Sequence, residues 1–276
     1  MQKPRQTPLN SIALTSIPFY KYHGAGNDFV IIDQREKAYL SKQDQKAIED
    51  ICDRRFGIGG DGLMFIENDP DYDFRMVYFN ADGREGSMCG NGGRCIVALA
   101  ARLGIIEQTT HFIAIDGPHD ARVIRPDYIE LKMQDLSEIE TNTDYFVLDT
   151  GSPHYIKFVT DPHAIDVKSA GRAIRYSDRF REKGINVNFV AAKGSYQLAI
   201  ATYERGVEDE TLACGTGITA AALAYAKKEG HRGQQEIQLK AKGGDLAVKF
   251  QQGTEGFSNI WLCGPATYVF QGNYPI

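Results

Sequence analysis

Two segments lying about 125 positions apart, roughly one domain length, repeat a single design in which Cys-Gly-polar-Gly runs into an alanine-rich apolar stretch. The first is Cys89-Gly90-Asn91-Gly92, continuing through Gly93-Arg94-Cys95-Ile96-Val97-Ala98-Leu99-Ala100-Ala101. The second is Cys214-Gly215-Thr216-Gly217, continuing through Ile218-Thr219-Ala220-Ala221-Ala222-Leu223-Ala224. Alanine and leucine favour helix, and the glycines mark a loop leading into it. A chain with this unit twice is constrained to two similar halves, each placing a thiol at a helix start.

The exposed N–H groups and dipole of a helix start favour negative charge, so a cysteine there is expected to have a lowered pKa. Glycines let a carboxylate approach the bare backbone closely. Two such units facing each other set two acid/base groups of one kind on opposite faces of a small molecule. Inverting an amino acid's α-carbon needs this, because a single base returns the proton to the side it left. Either motif alone reads equally well as a helix cap with a buried thiol; the matched pair favours chemistry. Cys52, Cys95 and Cys263 lie in apolar stretches and read as structural.

At 276 residues, 42% of them hydrophobic, the chain has enough apolar content for one large core or two medium ones. A net charge of −5 provides no basic footprint for nucleic acid. No apolar run is long enough to span a membrane. The polar start lacks the core of a secretory signal, and residues 1–16 are expected to be a loose tail. Five cysteines, an odd number without small-scaffold spacing, argue for a reducing cytoplasm.

Apolar patterning predicts strands at 19–22 and 29–33 and a helix from Ser41, as its cap, to Asp53. Strands at 63–67 and 73–80 precede the first cysteine loop, and three short ones follow its helix. The polar stretch 134–144 is the expected boundary. Beyond it, strands near 146–150, 154–159, 185–190 and 197–204 lead to the second cysteine loop, whose helix is followed by further short strands. The expected class is α+β: two pseudosymmetric domains of short, mostly antiparallel strands wrapped around a central helix, with a ligand cleft between them. Residues 17–133 form the half carrying Cys89, and 134–263 the half carrying Cys214.

Some signals mislead. Gly57-Ile58-Gly59-Gly60-Asp61-Gly62 fits the dinucleotide pattern Gly-x-Gly-x-x-Gly but follows a helix and precedes a strand, the reverse of what that motif requires. Cys89 and Cys95 are too far apart for a usual zinc pair, and the six histidines are scattered; no metal is expected. Glu204-Arg205, just before the second cysteine loop, reads alone as a surface ion pair. Beside that loop it could hold a zwitterion, with arginine on a carboxylate and glutamate on an ammonium. Asn27, Asn80 and Asn186 sit at turns or strand edges, where asparagine is common for backbone reasons.

Taken together, Tyr22–Phe29, Arg55–Gly59, Phe79–Gly83, Met88–Cys95, Gly151–His154, Ile185–Val187, Tyr203–Gly206 and Thr211–Gly217 resemble the diaminopimelate epimerase family. The resemblance runs from about residue 18 through nearly the whole chain. Proline-racemase-like relatives are similar to Met-Cys-Gly-His-Gly at the first site, where Asn91 stands here. The resemblance implies interconversion of LL- and meso-diaminopimelate, in lysine and peptidoglycan precursor synthesis, with no cofactor. It implies Cys89 and Cys214 as the thiol/thiolate pair, with His154 and Glu204 assisting. Gly90 with Asn91, and Gly215 with Thr216, would offer N–H groups to the α-carboxylate. Asn27, Asn80, Asn186, Ser152, Glu204 and Arg205 would be further substrate contacts. A C-terminal strand, 264–276, would return to the first half. A small-molecule substrate is the expected partner, with a homodimer allowed.

Three departures from the family pattern stand out. Gly62 replaces a common glutamine, Ser152 a common asparagine, and 206–211 is one residue longer. Two rivals remain from sequence: a related proline or hydroxyproline epimerase, and a thiol redox sensor that bridges Cys89 to Cys214 and binds no amino acid.

Overall fold

The computed structural model describes residues 16–276, so the expected tail lies outside the described residues except for Ser16, which already begins a strand. The first half runs β1 (Ser16–Gly24), β2 (Asn27–Asp33), α1 (Gln45–Cys52), β3 (Gly62–Glu67), β4 (Arg75–Asn80), α2 (Gly90–Arg102), β5 (Thr109–Ala114), β6 (Gly117–Arg125) and β7 (Tyr128–Lys132). The second runs β8 (Glu140–Thr141), β9 (Phe146–Asp149), β10 (Pro153–Phe158), α3 (Val167–Arg175), β11 (Asn186–Gly194) and β12 (Gln197–Glu204). It continues through β13 (Asp209–Thr211), α4 (Gly215–Glu229), β14 (Gly233–Ala241), β15 (Gly244–Gln252) and β16 (Phe257–Pro265). Finally β17 (Thr267–Pro275) pairs antiparallel with β1.

The ladders repeat. In the first half β1–β2 is antiparallel, β2–β3 parallel, β3–β4 antiparallel, β4–β5 parallel, and β5–β6–β7 antiparallel. In the second, β9–β10, β10–β11, β11–β12, β12–β14 and β14–β15–β16 follow the same order of directions. Helices α1 and α3 fall at one matching place in the order, and α2 and α4 at another. The halves join where β7 pairs antiparallel with β16.

Small and apolar residues on every side suit α2 and α4 to full enclosure, as expected of a helix without a polar face. Cys95, Ile96, Val97 and Leu99 of α2 are buried against Tyr22, Phe29, Met64 and Leu131. Ile218 and Ala220–Ala226 of α4 are buried with Ile156, Val190, Leu239 and Val248. Helix α1 covers the outer sheet face over Val30, Leu63 and Phe65, and α3 does so over Val187, Phe189 and Tyr203.

Several boundaries differ from the pattern-based expectation. Ser41 does not cap α1: its N–H donates to Asp44 Oδ2 (2.7 Å) in a preceding turn, and the helix starts at Gln45. Helix α3 is not among the predicted elements, although Asp166 before it and Val167, Ala170, Gly171 and Ile174 at i, i+3, i+4 and i+7 give it one apolar face. Gly171 is required there, since a Cβ would lie 2.4 Å from Tyr203 Cβ. Asp166 caps this helix by accepting from Ser169 N–H (3.0 Å). The polar stretch 134–144 is not wholly irregular: it contains β8, and Leu136 bridges to Phe257. The 57–62 bend closes on protein, with Lys21 Nζ donating to the Gly59 carbonyl.

Candidate active site

Cys89 and Cys214 stand at matching points. Each has extended backbone immediately before its helix, and each carbonyl accepts the first helical bond: from Gly93 N–H at 2.7 Å and Ile218 N–H at 2.8 Å. The two helix starts abut. A Cβ on Gly215 would lie 3.5 Å from Gly90 Cα, and one on either glycine would press Leu262 Cδ2, at 2.9 to 3.0 Å. Glycine is therefore what lets the two N-termini meet.

Above them opens a cleft of about 560 Å³ lined by Cys89, Gly90, Cys214, Gly215 and Thr216, together with Asn27, Asn80, Ser152, Asn186, Glu204 and Arg205. Two residues expected at the site lie behind it. Asn91 is 1% exposed and holds the halves together: its Nδ2 donates to Asn27 Oδ1 (2.6 Å) and to the Ala213 carbonyl (3.0 Å). The fully buried Arg94 orients it, donating to Asn91 Oδ1 (2.9 Å) and also to the Gly90 and Pro265 carbonyls. The Asn91 side chain is thus a strut rather than a cleft-lining group, because both ends of its amide are used within the protein. His154 is fully buried behind Thr216, whose Oγ1 lies 2.9 Å from His154 Nε2.

Other contacts fix the rim. Asn27 Nδ2 donates to Asp61 Oδ2 (2.9 Å), and Arg54 spans Asp61 and Asp28 at 2.6 Å each. Asn186 donates to Ser152 Oγ (2.9 Å) and accepts from Arg205 N–H (2.8 Å). Asp61, Tyr78 and Thr211 also line the cleft and were missed from sequence. Tyr78 carried a readable signal, since in a strand it shares a face with Asn80 two residues on. Its ring fills the space beside Gly62, where a Cβ would meet Tyr78 Cε2 at 2.7 Å and Phe79 O at 2.4 Å. The longer 206–211 stretch forms a turn with positive φ at Gly206 and Glu208, and brings Val207 to the cleft.

The expected lowering of the thiol pKa values is not found. Burial raises Cys89, outweighing the N–H groups of Gly92 and Asn91. Burial, with Glu204 adding to it, pushes Cys214 up to about 12 despite the Thr216 hydroxyl and Gly217 N–H. Desolvation exceeds what one helix terminus provides once the cleft is this closed. Glu204 is likewise raised, by burial first and Asp61 nearby, with Thr211 partly offsetting.

His154 moves oppositely: burial, helped by Arg205, pushes it from 6.5 down to about 3. The unfolded chain then binds a proton below pH 6.5 that the native state refuses, so stability is complete above that pH and is lost as pH falls toward 3. In urea titrations from pH 6.5 to 4, the wild type is expected to lose roughly 1.4 kcal/mol per pH unit more than His154→Gln. Parallel slopes would contradict the buried neutral imidazole.

No helix among the described residues is long and apolar enough to cross a membrane. The described residues hold no cluster of three or more His, Cys, Asp or Glu side chains that could bind a metal ion.

A family model described as diaminopimelate epimerase matches residues 19–118 and 146–269. The diaminopimelate epimerase of Flavobacterium psychrophilum is 50% identical over 252 residues, covering 91% of this chain and 98% of that protein. That of Chlorobaculum tepidum is 41% identical over 258 residues, covering 90% and 98%. Among solved structures, a PhzF-family phenazine biosynthesis protein from Bacillus anthracis superposes with a TM-score of 0.73 at 14% identity, covering 95% of this chain and 100% of that one. A hydroxyproline epimerase from Agrobacterium vitis gives 0.64 at 13% identity, covering 95% and 93%. These two share the two-part α+β fold, while the sequence matches along most of the chain go further: the chain belongs to the diaminopimelate epimerase family.

Proposed function

We propose that the protein interconverts LL- and meso-diaminopimelate by passing protons between two thiols, serving lysine and peptidoglycan precursor synthesis in the cytoplasm, as a monomer or homodimer. The observation that carries this reading is the convergence of two matched Cys-Gly helix starts on one cleft. One of Cys89 and Cys214, as thiolate, takes the α-proton on one face while the other, as thiol, delivers one to the opposite face, and the roles reverse for the opposite direction. The N–H groups of the two helix starts hold the α-carboxylate, where charge builds as the proton leaves. Preorganised donors of this kind are worth about 2.7–4 kcal/mol each. Glu204 and Arg205, with Asn27, Asn80, Asn186 and Ser152, hold the remaining charged groups.

The raised thiol pKa values fit this scheme. A thiolate is costly in the closed cleft until a cation enters, and the substrate's ammonium group supplies that charge. Pyridoxal phosphate has no role in the proposal. With LL-diaminopimelate in heavy water and no added cofactor, the meso product is expected to carry one solvent deuterium at the inverted carbon. Unlabelled product, turnover of proline or hydroxyproline instead, or an absolute need for pyridoxal phosphate or metal would overturn the reading.

A further inference from the structure

The two thiols sit on equivalent frames but meet different side chains. Strand register sets the equivalence. Phe29 pairs with Gly62, and Met64 with Tyr78, in the first half. His154 pairs with Asn186, and Asn188 with Thr202, at the matching places of the second. The glycine three residues beyond each cysteine reports the contrast. A Cβ on Gly92 would meet Met64 Sδ at 3.3 Å and Phe29 Cζ at 3.6 Å. On Gly217 it would meet Asn188 Oδ1 at 2.5 Å and His154 Cε1 at 3.3 Å. The helix start of Cys89 is backed by apolar groups, and that of Cys214 by polar ones.

The polar backing forms a directed chain. Asn188 Nδ2 lies 3.1 Å from the Tyr155 carbonyl and 3.0 Å from His154 Nδ1, while Asn188 Oδ1 accepts from Thr202 Oγ1 at 2.9 Å. A carbonyl only accepts, so the amide nitrogen must face Tyr155. That orientation makes His154 Nδ1 an acceptor and leaves the ring proton on Nε2. Nε2–H donates to Thr216 Oγ1 at 2.9 Å, and Cys214 Sγ lies 3.4 Å from that same oxygen. With its oxygen already accepting, the Thr216 hydroxyl has its own proton to give to the sulfur.

We propose that Asn188 is a positioning residue for Cys214: it locks His154 as the neutral Nε2–H tautomer and so makes the Thr216 hydroxyl a donor to the Cys214 sulfur, a support that Cys89 lacks. Asn188 and His154 are both fully buried, so no solvent competes for the chain. Its use in turnover rests on the two-thiol reading, but its hydrogen bonds and its effect on the sulfur are measurable without substrate.

In Asn188→Asp the carboxylate accepts a hydrogen bond from His154 Nδ1–H, Nε2 becomes an acceptor, and the Thr216 hydroxyl turns from sulfur to imidazole. Thr216→Val deletes the donor, and Thr216→Ser restores it. Nitrogen-15 NMR of the wild type is expected to show His154 with bare Nδ1 and protonated Nε2, and Asn188→Asp to show the reverse. Iodoacetamide labelling, followed by peptide mass spectrometry with Cys89 as internal reference, is expected to show the Cys214:Cys89 rate ratio falling about tenfold in Asn188→Asp and Thr216→Val, the effect of one hydrogen bond to a charged group. The ratio should return toward the wild-type value in Thr216→Ser. A protonated Nδ1 in the wild type, or an unchanged ratio in Thr216→Val, overturns the proposal. Should Asn188→Asp not fold, the Thr216 pair decides it. If the ratios shift as expected in a protein that does not turn over diaminopimelate, the relay stands and the functional reading falls.

Discussion

Replacing either Cys89 or Cys214 by alanine is expected to reduce epimerisation by roughly 10⁴-fold, the upper end of what a positioned acid or base contributes. The upper end is appropriate because the α-proton is weakly acidic and, in the proposed scheme, no cofactor shares the electron pair. The two losses should be similar in size and should not add in the double variant, since removing either sulfur already breaks the two-face transfer. Neither change should unfold the protein. Each removes one sulfur that borders the cleft, and no described cysteine takes part in a disulfide. The check is a chiral assay of meso product from LL-diaminopimelate beside a thermal melt. Wild-type turnover by either single variant would end the two-thiol mechanism.

A smaller but still large loss is expected from a residue that touches no substrate. Gly243 lies in the β14–β15 turn of the second half, where its N–H donates to the Leu212 carbonyl (2.7 Å). A Cβ on Gly243 would sit 1.9 Å from the Ala25 carbonyl oxygen, in the β1–β2 turn of the first half. Gly26, next in that turn with φ +94°, also packs closely: a Cβ there would lie 2.8 Å from Leu212 Cδ1 and 3.3 Å from Gly243 Cα. At Gly243 backbone meets backbone between the halves, and that contact cannot yield by a rotamer change. Gly243→Ala should therefore hold the halves apart by an ångström or more, enough misplacement to cost about 10²-fold in kcat/KM. The Tm should fall as well, because the same displacement stretches the Asn91 bonds to Asn27 and Ala213, but each half keeps its own enclosed helix and the protein stays folded. Unchanged kcat/KM would show that this contact does not set the geometry of the site.

The duplicated cysteine units were legible because helix entry is a local matter. A thiol, a glycine-rich turn and an alanine run specify a capped helix from neighbours a few residues away. Glu204-Arg205 was legible from its place beside the second cysteine loop, and the three asparagines only through the resemblance, as singly each has an ordinary backbone reading. Helix α3 was readable, since Val167, Ala170 and Ile174 recur at helical spacing after the cap Asp166; only the need for Gly171 is non-local, because Tyr203, distant in sequence, leaves no room there for a Cβ. The strut role of the Asn91 side chain was not readable, because its partners, Asn27 and Ala213, are distant in sequence. Tyr78 was readable from its shared strand face with Asn80, but the room for its ring was not, because Gly62, which provides it, belongs to the neighbouring strand.

From its sequence alone the chain determined that two thiols would each stand before an apolar helix, and that the halves would repeat, because alanine, glycine and apolar spacing act over a few residues. Only the tertiary structure decided how those thiols are charged and how they differ. Burial overrides the helix termini and raises both sulfurs, and Phe29 and Met64 back one while His154 and Asn188 back the other. Desolvation and long-range pairing depend on which strands lie side by side, and no local run of residues carries that information.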